Sequence, residues 1–359
     1  MNSILEEMTS GISHADPAMM KRARIRQARL TKPPGSLGRL EEISVRLAGI
    51  YGTTRPKVAS RSLVIAAGDH DVVRQGVTSY PQDVTAQMVL NFLAGGAAVT
   101  AMARLFDVDV TVVDAGVKSE LPEHPDLISL RIGPGAADIS AGPAMSREQA
   151  ERCLIEGVRI GQRSAGSGSG LVAAGDMGIG NTTPSSAITA ALTGMPPEVT
   201  TGRGTGRNAD ELRHKTEIVA RALEVNKPDA HDPVDVLSKV GGFEIGVLAG
   251  VMLGAASRGS VVVIDGFISG VAALIATGLR PELGDYLIAG HRSAETGHAI
   301  VLDHLGLEPV LDLDMRLGEG TGAVLAMPVI EAAAACLSEM ATFDEAGVSD
   351  SETKRSTTA

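Results

Sequence analysis

A glycine-rich loop at residues 175–183 is the segment of the sequence best suited to hold an anion. It follows a short apolar run, Leu171–Ala174. Glycines let backbone N–H groups face a phosphate, and Asn181, Thr182 and Thr183 add side-chain donors at a helix N-terminus. The loop lacks both the Gly-Lys-Ser/Thr of a Walker A loop and the third glycine of a dinucleotide-binding fingerprint. The sequence therefore predicts a phosphate-binding turn, with a purely structural strand-to-helix turn as the alternative.

A second glycine cluster, at residues 201–207, opens a predicted helix and contains Gly202 and Gly204. It either serves the same anion or forms a loop with two solvated arginines, and the pattern favours neither. Lys215 follows Glu211 by four residues in that helix. Such spacing is typical of a surface ion pair, so spacing alone predicts that Lys215 is exposed.

Glu319 lies between Gly318 and Gly320, beyond a predicted strand. A carboxylate in an apolar cleft can have a raised pKa and act as a general base. The alternative is a carboxylate that stabilises the N-terminus of the following helix. The spacing favours neither role over the other.

The histidines do not form a recognisable metal motif. His70, His291 and His298 lack the i,i+4 spacing of a helical zinc pair, and Glu295 does not complete one. The two cysteines are far apart in the chain, which excludes a cysteine-rich zinc site and a disulfide framework. We expect no metal and no cofactor, and we expect one of the histidines to be a hydrogen-bonded structural group.

The elements that must position these residues alternate along the chain. Six short apolar runs, separated mostly by helical stretches, are each followed by Gly, Asp or His; they are Leu63–Ala67, Val110–Val113, Leu171–Ala174, Val261–Ile264, Leu287–Ala289 and Val310–Leu313. Buried strands that alternate with helices imply a parallel sheet covered on both faces. We therefore predict an α/β fold with a doubly wound, mostly parallel, six-stranded Rossmann-like sheet. Ligands of such sheets bind beyond the carboxyl ends of the strands, where the polar segments converge.

The ends of the chain lie outside this alternation. Residues 60–320 are predicted to form the α/β core. Helical patterns at 1–59 and 321–346 predict a small helical subdomain, because each has an apolar face that needs a partner. The polar segment 347–359 is predicted to be disordered.

Composition excludes several classes of protein. The formal net charge of the 359 residues is −11 and the only aromatic side chains are 5 Phe and 3 Tyr, so a nucleic-acid-binding surface is not expected. A hydrophobic fraction of 44% excludes global disorder. Two uncharged stretches, 84–103 and 177–197, approach the length of a membrane span but contain amides, threonines or prolines. We expect a soluble cytoplasmic protein with no membrane partner.

Taken together, eight segments resemble the nicotinate-nucleotide–dimethylbenzimidazole phosphoribosyltransferases, which assemble the nucleotide loop of cobalamin. No single segment is as specific as the ordered set, which spans residues 31–323. The segments are TKPPGSLGRLE (31–41), GDHDVVRQGVTSYPQDVTAQMV (68–89), GDMGIGNTTPSSA (175–187), TGRGTG (201–206), GGFEIGVLAG (241–250), IDGFISG (264–270), GHRSAE (290–295) and LDLDMRLGEGTGA (311–323).

The resemblance implies a reaction and a set of site residues. The expected enzyme moves the 5-phosphoribosyl group of nicotinate mononucleotide onto 5,6-dimethylbenzimidazole, giving α-ribazole 5′-phosphate and nicotinate with inversion at the anomeric carbon. Glu319 matches the general base of the family, which acts as a homodimer. The residues matching the base pocket are Ser79, Tyr80, Gln87 and Leu317. The residues matching the nucleotide side are Gly175, Gly178, Gly180, Asn181, Thr182, Gly202, Gly204, Lys215, Asp265 and Ser293.

Two positions depart from the pattern of the family, and two other functions compete with it. Asp176 stands where the family usually has Glu, and Asp71 where it usually has Gly. The shorter Asp176 would need a shifted backbone or a water to reach the same partner, and Asp71 would add charge near the expected base pocket. The competing functions are a non-catalytic nucleotide-binding regulator and a phosphate-ester enzyme on the same fold.

Overall fold

The computed structural model describes residues 3–202 and 208–349, which form two compact units. Of the described residues, 3–13, 60–202 and 208–327 belong to the first unit, and 14–59 and 328–349 belong to the second. The strands are β1 Arg61–Gly68, β2 Asp109–Gly116, β3 Leu127–Ser129, β4 Leu171–Met177, β5 Val261–Ile264, β6 Leu287–Ala289, β7 His291–Arg292 and β8 Leu311–Asp312.

The helices outnumber the strands. They are α1 Ser3–Thr9, α2 Pro17–Arg29, α3 Arg39–Tyr51, α4 Val84–Leu93, α5 Ala98–Leu105, α6 Arg147–Ser164, α7 Thr182–Thr193, α8 Pro197–Thr200, α9 Ala209–Asn226, α10 Pro233–Val240, α11 Phe243–Ser257, α12 Phe267–Leu279, α13 Thr296–Leu305, α14 Thr321–Glu339 and α15 Phe343–Ala346, with 3-10 turns at Asp71–Gln75 and Pro281–Tyr286.

The main sheet has six strands in the order β3-β2-β1-β4-β5-β6, and every pair in it is parallel. β1 and β4 occupy the centre, where the strand order reverses direction. The predicted α/β fold with a six-stranded parallel sheet is therefore confirmed. Carboxyl ends of adjacent strands at such a switch point leave the crevice in which open α/β sheets bind ligands.

One predicted strand was assigned to the wrong place. Val310–Leu313 does not join the main sheet; its residues Leu311 and Asp312 pair with the two-residue strand β7 in a separate small sheet. The sixth strand of the main sheet is instead β3, which pairs with β2 at the edge. With three residues, none of them buried, β3 lacks the continuous apolar run by which a buried strand is recognised.

Helices α6 and α11 pack backbone against backbone on one face of the sheet. The contact is lined by glycines on both helices: a Cβ at Gly161 would lie 2.1 Å from the carbonyl oxygen of Val251, and one at Gly250 would lie 2.2 Å from that of Leu154. Only a residue without a side chain fits such a contact. The two helices are therefore held closer than side chains would allow.

We expect Gly250→Ala to destabilise the protein although alanine is the better helix former. The propensity gain is about 1 kcal/mol. Overpacking costs about 1–3 kcal/mol, and here the obstructing atom belongs to the backbone and cannot turn aside. Urea unfolding should show a net loss, whereas Gly142→Ala, which meets no atom within 4 Å, serves as the control. A more stable Gly250→Ala variant would contradict this close packing of α6 against α11.

The second unit is helical and has its own small core. Ala23, Val45, Ala48 and Leu337 are buried together. Arg26 donates from Nε to the carbonyl oxygen of Leu337 and from Nη2 to that of Met340, at 2.9 Å each. These two bonds tie α2 to the end of α14 and satisfy carbonyls that the helix end leaves without partners.

The boundaries of the units differ from the predicted subdomain at two places. Residues 3–13 belong to the first unit, because α1 packs on α6 and α11 and Leu5 is fully buried there. The other boundary falls inside α14, between Met327 and Pro328, rather than at its start. Of the predicted disordered tail 347–359, residues 350–359 lie outside the described part of the chain.

Two helical stretches of the described residues are long and apolar enough to cross a membrane. They are Val84–Leu105, with a mean hydropathy of 1.4, and Thr321–Glu339, with 1.6. The first is divided into α4 and α5, and 61% of the second is buried inside the protein. Core helices of soluble proteins have the same length and composition, so these stretches are weak evidence for a membrane span.

Candidate active site

A cleft of about 440 Å³ opens within the first unit, beyond the carboxyl end of β4. The predicted site residues that line it are Tyr80, Gly178, Gly180, Asn181, Thr182, Lys215, Ser293, Leu317 and Glu319. They come from separate segments of the chain. The sheet therefore gathers at one edge the residues that the sequence placed after its strands.

Glu319 is held in an unusual backbone conformation at this cleft. Its φ is +66°, between Gly318 at +85° and Gly320 at +91°. The left-handed region costs a residue with a Cβ about 1–2 kcal/mol, so the surrounding structure must hold the turn in place. Because of this turn, the side chain of Glu319 lines the cleft instead of lying along the following helix α14.

Asp265 supplies the hydrogen bonds that hold the turn. Its carboxylate is fully buried and accepts from the backbone N–H groups of Gly320 at 3.2 Å, Gly322 at 2.7 Å and Ala323 at 3.0 Å. These groups belong to the unsatisfied first turn of α14. Asp265 does not line the cleft, so its place in the structure is beneath Glu319.

The carboxyl group of Glu319 is suited to accept a proton. Burial raises its pKa, the charge of Asp265 acts in the same direction, and a hydrogen bond from the backbone of Val99 acts against both. One of its oxygens, Oε2, has no hydrogen-bond partner among the described residues. A buried carboxylate with a free oxygen is a stronger base than a solvated one.

Asp176, which is not among the predicted site residues, is a second carboxyl group in the cleft. Oδ2 of Asp176 accepts from Nδ2 of Asn181 at 2.9 Å, so the shorter side chain finds its partner within the same loop. A Cβ at Gly318 would lie 3.3 Å from its Oδ1, which places the carboxyl directly beside the turn of Glu319. Burial raises the pKa of Asp176 to about 7, and the negative charges of Asp265 and Glu319 contribute.

We expect Asp176→Asn to change how stability depends on pH. With a folded pKa of about 7 and an ordinary unfolded pKa of about 4, the folded protein keeps a proton that the unfolded chain releases. That stabilisation is complete below about pH 4 and is lost as the pH rises to about 7.

Asn cannot titrate, so the variant does not lose this stabilisation as the pH rises. The unfolding free energy of the variant minus that of the parent should therefore increase with pH, by up to about 4 kcal/mol across this range. Urea unfolding of both proteins at about pH 5 and about pH 8 measures the change. A constant difference between the two proteins would show that Asp176 is ionised at both pH values.

The nucleotide side of the cleft is built at the N-terminus of α7. Gly178 approaches β1 so closely that a Cβ would lie 2.5 Å from the carbonyl oxygen of Gly68, which explains the glycine at this turn. Lys215, only 1% exposed, donates from Nζ to Oγ1 of Thr182 at 2.8 Å and to the carbonyl oxygen of Gly202 at 3.4 Å. A buried ammonium group at a helix N-terminus makes a strongly anion-binding environment.

The exposed position that spacing alone predicted for Lys215 is wrong. Glu211 instead turns back and accepts from the backbone N–H of Asn208, capping α9. With Glu211 occupied at the helix end, α9 packs so that Lys215 faces α7. Sequence spacing did not distinguish these two faces of the helix.

Four further predicted residues do not line the cleft. Gly175 lies behind it, where a Cβ would be 2.3 Å from the carbonyl oxygen of Glu319. Gly202 accepts from Lys215, as above, and Ser79 and Gln87 are exposed neighbours of lining residues. Gly204 falls outside the described residues.

Apolar side chains complete the other part of the cleft, and sequence reasoning found only two of its residues, Tyr80 and Leu317. The side chains it missed are Val77, Val84, Met88, Phe267 and Ile268. They carry no chemical signature of their own, and only the folded chain brings them together. A planar aromatic ring would fit such a lining.

Asp71 does not add charge to this pocket, contrary to expectation. Its carboxylate pairs with Lys118 at 2.7 Å and with Arg74 at 3.5 Å, and it is not among the residues lining the cleft. Within the described ranges, His, Cys, Asp and Glu side chains form no group of three that could hold a metal ion.

Comparison with known proteins gives one consistent result. A family model described as "Phosphoribosyltransferase" matches residues 12–348. The nicotinate-nucleotide–dimethylbenzimidazole phosphoribosyltransferase of Chloroflexus aggregans is 54% identical over 348 residues, covering 97% of this chain and 99% of the relative. The protein of the same name from Roseiflexus sp. is 54% identical over 347 residues, covering 97% and 98%.

A solved structure agrees with the sequence relatives. The crystal structure of the enzyme of that name from Thermus thermophilus aligns with a TM-score of 0.89 at 50% identity, covering 93% of this chain and 99% of that one. Sequence and fold thus match over nearly the full length of both proteins. The chain therefore belongs to the nicotinate-nucleotide–dimethylbenzimidazole phosphoribosyltransferase family.

Proposed function

We propose that this phosphoribosyltransferase moves the 5-phosphoribosyl group of nicotinate mononucleotide onto 5,6-dimethylbenzimidazole in the synthesis of the lower ligand of cobalamin. The products are α-ribazole 5′-phosphate and nicotinate. The observation that carries the proposal is the combination, in one cleft, of a buried cation at a helix N-terminus with a carboxylate of raised pKa. The names of the relatives supply the two substrates.

The nucleotide lies with its phosphate at the N-terminus of α7. The backbone N–H groups of Gly178 and Gly180 and the hydroxyl of Thr182 donate to the phosphate oxygens, and Lys215 neutralises their charge. Gly202 and Ser293 flank this position. Holding the phosphate fixes the ribose, so that its anomeric carbon faces the apolar part of the cleft.

The benzimidazole lies among the apolar side chains near Tyr80 and Leu317. One ring nitrogen attacks the anomeric carbon as the bond to nicotinate breaks, and the bonding electrons leave with nicotinate. Glu319 takes the proton from the other ring nitrogen, so the product base is neutral. Attack on the face opposite the leaving group inverts the anomeric centre.

The residues present suffice for this chemistry. Nicotinate leaves from a positively charged pyridinium ring and gains electrons rather than a proton, so no general acid is required. A positioned general base contributes about 10²–10⁴-fold. Binding both reactants in reactive orientation contributes further.

The test is an endpoint assay of protein, nicotinate mononucleotide and 5,6-dimethylbenzimidazole without added metal, with products separated by chromatography. We expect nicotinate and α-ribazole phosphate in equal amounts. Nucleotide binding without release of nicotinate would overturn the proposal in favour of the regulator. A requirement for Mg²⁺ would favour a phosphate-ester enzyme.

We further propose that the protein is a cytoplasmic homodimer. The support is a pair of large apolar side chains exposed on α4 and α5, Leu90 at 43% and Leu105 at 74%. Contact with a partner subunit would remove such side chains from water. Analytical ultracentrifugation should give twice the chain mass, and a monomer at micromolar concentration would exclude the dimer.

The proposed cytoplasmic location is tested by fractionating cells that express the protein. We expect the protein in the soluble cytoplasmic fraction, and recovery with the membranes would contradict the proposal.

A further inference from the structure

His298, in α13, is buried behind the cleft and does not line it. Its Nδ1 lies 2.9 Å from the backbone nitrogen of Ser293, which does line the cleft. A backbone N–H can only donate, so Nδ1 must accept. The proton of the neutral ring is therefore on Nε2.

The environment keeps the imidazole in this form. His298 has no exposed surface. Burial lowers its pKa to about 3, and the neighbouring His291 and Arg292 side chains act in the same direction. The Nδ1 acceptor is therefore available at every pH at which the enzyme would work.

His298 also closes the turn that carries Ser293. The backbone N–H of His298 donates to the carbonyl oxygen of Glu295 at 3.0 Å, while its ring accepts from Ser293. Within the turn, Oγ of Ser293 accepts from the N–H of Glu295 at 3.3 Å, and Ala294 donates to the carbonyl oxygen of Met315 at 3.0 Å. His298 thus bonds to both ends of the turn Ser293–Glu295, and the first and last residues of this turn line the cleft.

The ring has little freedom to move away from this position. A Cβ at Gly270 of α12 would lie 3.4 Å from Cδ2 of His298, so α12 packs closely against the imidazole. The ring of His291 lies on another side, with a centroid distance of 6.1 Å. The acceptor is fixed by packing as well as by its hydrogen bond.

We propose that His298 is a positioning residue for nucleotide binding, and that it acts through the turn of Ser293. Loss of the acceptor leaves the buried N–H of Ser293 without a partner, and the turn must rearrange to satisfy it. This inference rests on the proposed function in one respect, the placement of Ser293 beside the nucleotide.

Two amide substitutions at His298 distinguish the loss of its hydrogen-bond acceptor from the loss of its side-chain volume. The amide oxygen of Asn reaches the place of Nδ1, whereas the longer amide of Gln reaches that of Nε2 and matches the volume of histidine better. We expect His298→Asn to keep the KM for nicotinate mononucleotide within about threefold of the parent, and His298→Gln to raise it about tenfold. The kcat and the KM for the benzimidazole should change less. Equal KM values for the nucleotide in the two variants, or equal increases for both substrates, would overturn the proposal.

A measurement on the unaltered protein does not depend on how the variants fold. In protein labelled with ¹⁵N-histidine, the NMR shifts of His298 should show an unprotonated Nδ1 and should change when nicotinate mononucleotide is added, but not with the benzimidazole alone. A protonated Nδ1, or no response to the nucleotide, would refute the positioning role. Neither NMR observation requires turnover, so both can be made even if the endpoint assay yields no nicotinate. Failure of the proposed reaction can therefore be distinguished from failure of the positioning role of His298.

Discussion

Glu319→Gln should lower kcat by about 10²–10⁴-fold while nicotinate mononucleotide binds as before. Gln has the shape of Glu and the same backbone requirements, so the left-handed turn at residue 319, which Asp265 holds by hydrogen bonds, should stay in place. What the variant loses is the ability to take a proton. Steady-state kinetics give kcat, and isothermal titration gives nucleotide affinity.

Glu295→Gln is the matched control, because Glu295 is the other glutamate lining the cleft. Its change should lower kcat far less, since it lies beside Gly202 on the nucleotide side. In the parent enzyme the rate should rise with pH as Glu319 loses its proton, and the raised pKa moves that rise above the range of an ordinary glutamate. A Glu319→Gln variant with the kcat of the parent would remove Glu319 from the mechanism.

Lys215→Met should raise the KM for nicotinate mononucleotide by about 10–100-fold and leave the KM for the benzimidazole nearly unchanged. A hydrogen bond between charged groups contributes about 1.5–3 kcal/mol, and each 1.4 kcal/mol is a factor of ten. Met fills much of the same space without the charge. Initial-rate kinetics with each substrate varied in turn separate the two KM values.

The same substitution at Lys239 provides the control for Lys215. Lys239 forms a surface ion pair with Asp235 at 3.0 Å, and removing such a pair changes stability by less than about 1 kcal/mol. Neither KM should respond to Lys239→Met. If Lys215→Met left the nucleotide KM unchanged, the phosphate would have to lie elsewhere in the cleft.

Part of the site could be predicted because its chemistry is local in sequence. The loop 175–183 combines glycines with polar residues directly after the buried strand β4, and the strands of a parallel sheet bring such segments to one edge. Glu319 could be singled out because it lies between two glycines, although the apolar run before it does not belong to the main sheet. The burial of Lys215 could not be predicted in this way. It depends on which face of α9 packs against α7, and a lysine four residues from a glutamate fits an exposed face equally well.

Other features depend on tertiary structure alone. The resemblance to the family implied that Asp265 lies on the nucleotide side, but the path of α14 places three N–H groups within reach of its carboxylate. The run at Val310–Leu313 has the composition of a core strand. Its residues Val310 and Leu311 donate to the carbonyl oxygens of Ala289 and Gly290 at the end of β6, and Leu311 and Asp312 pair with β7, so the run lies past the carboxyl end of the main sheet.

The central place of β1 and β4 in the sheet also determines which part of the molecule opens last. Each of these strands is paired on both sides, whereas the edge strands β3 and β6 are short and paired on one side. Amide hydrogens exchange fastest where few bonds must break, so exchange with deuterium should begin at the edges and reach β1 and β4 only on global unfolding. The turn that would hold the phosphate continues directly from β4, and so it is anchored to the slowest-exchanging part of the protein.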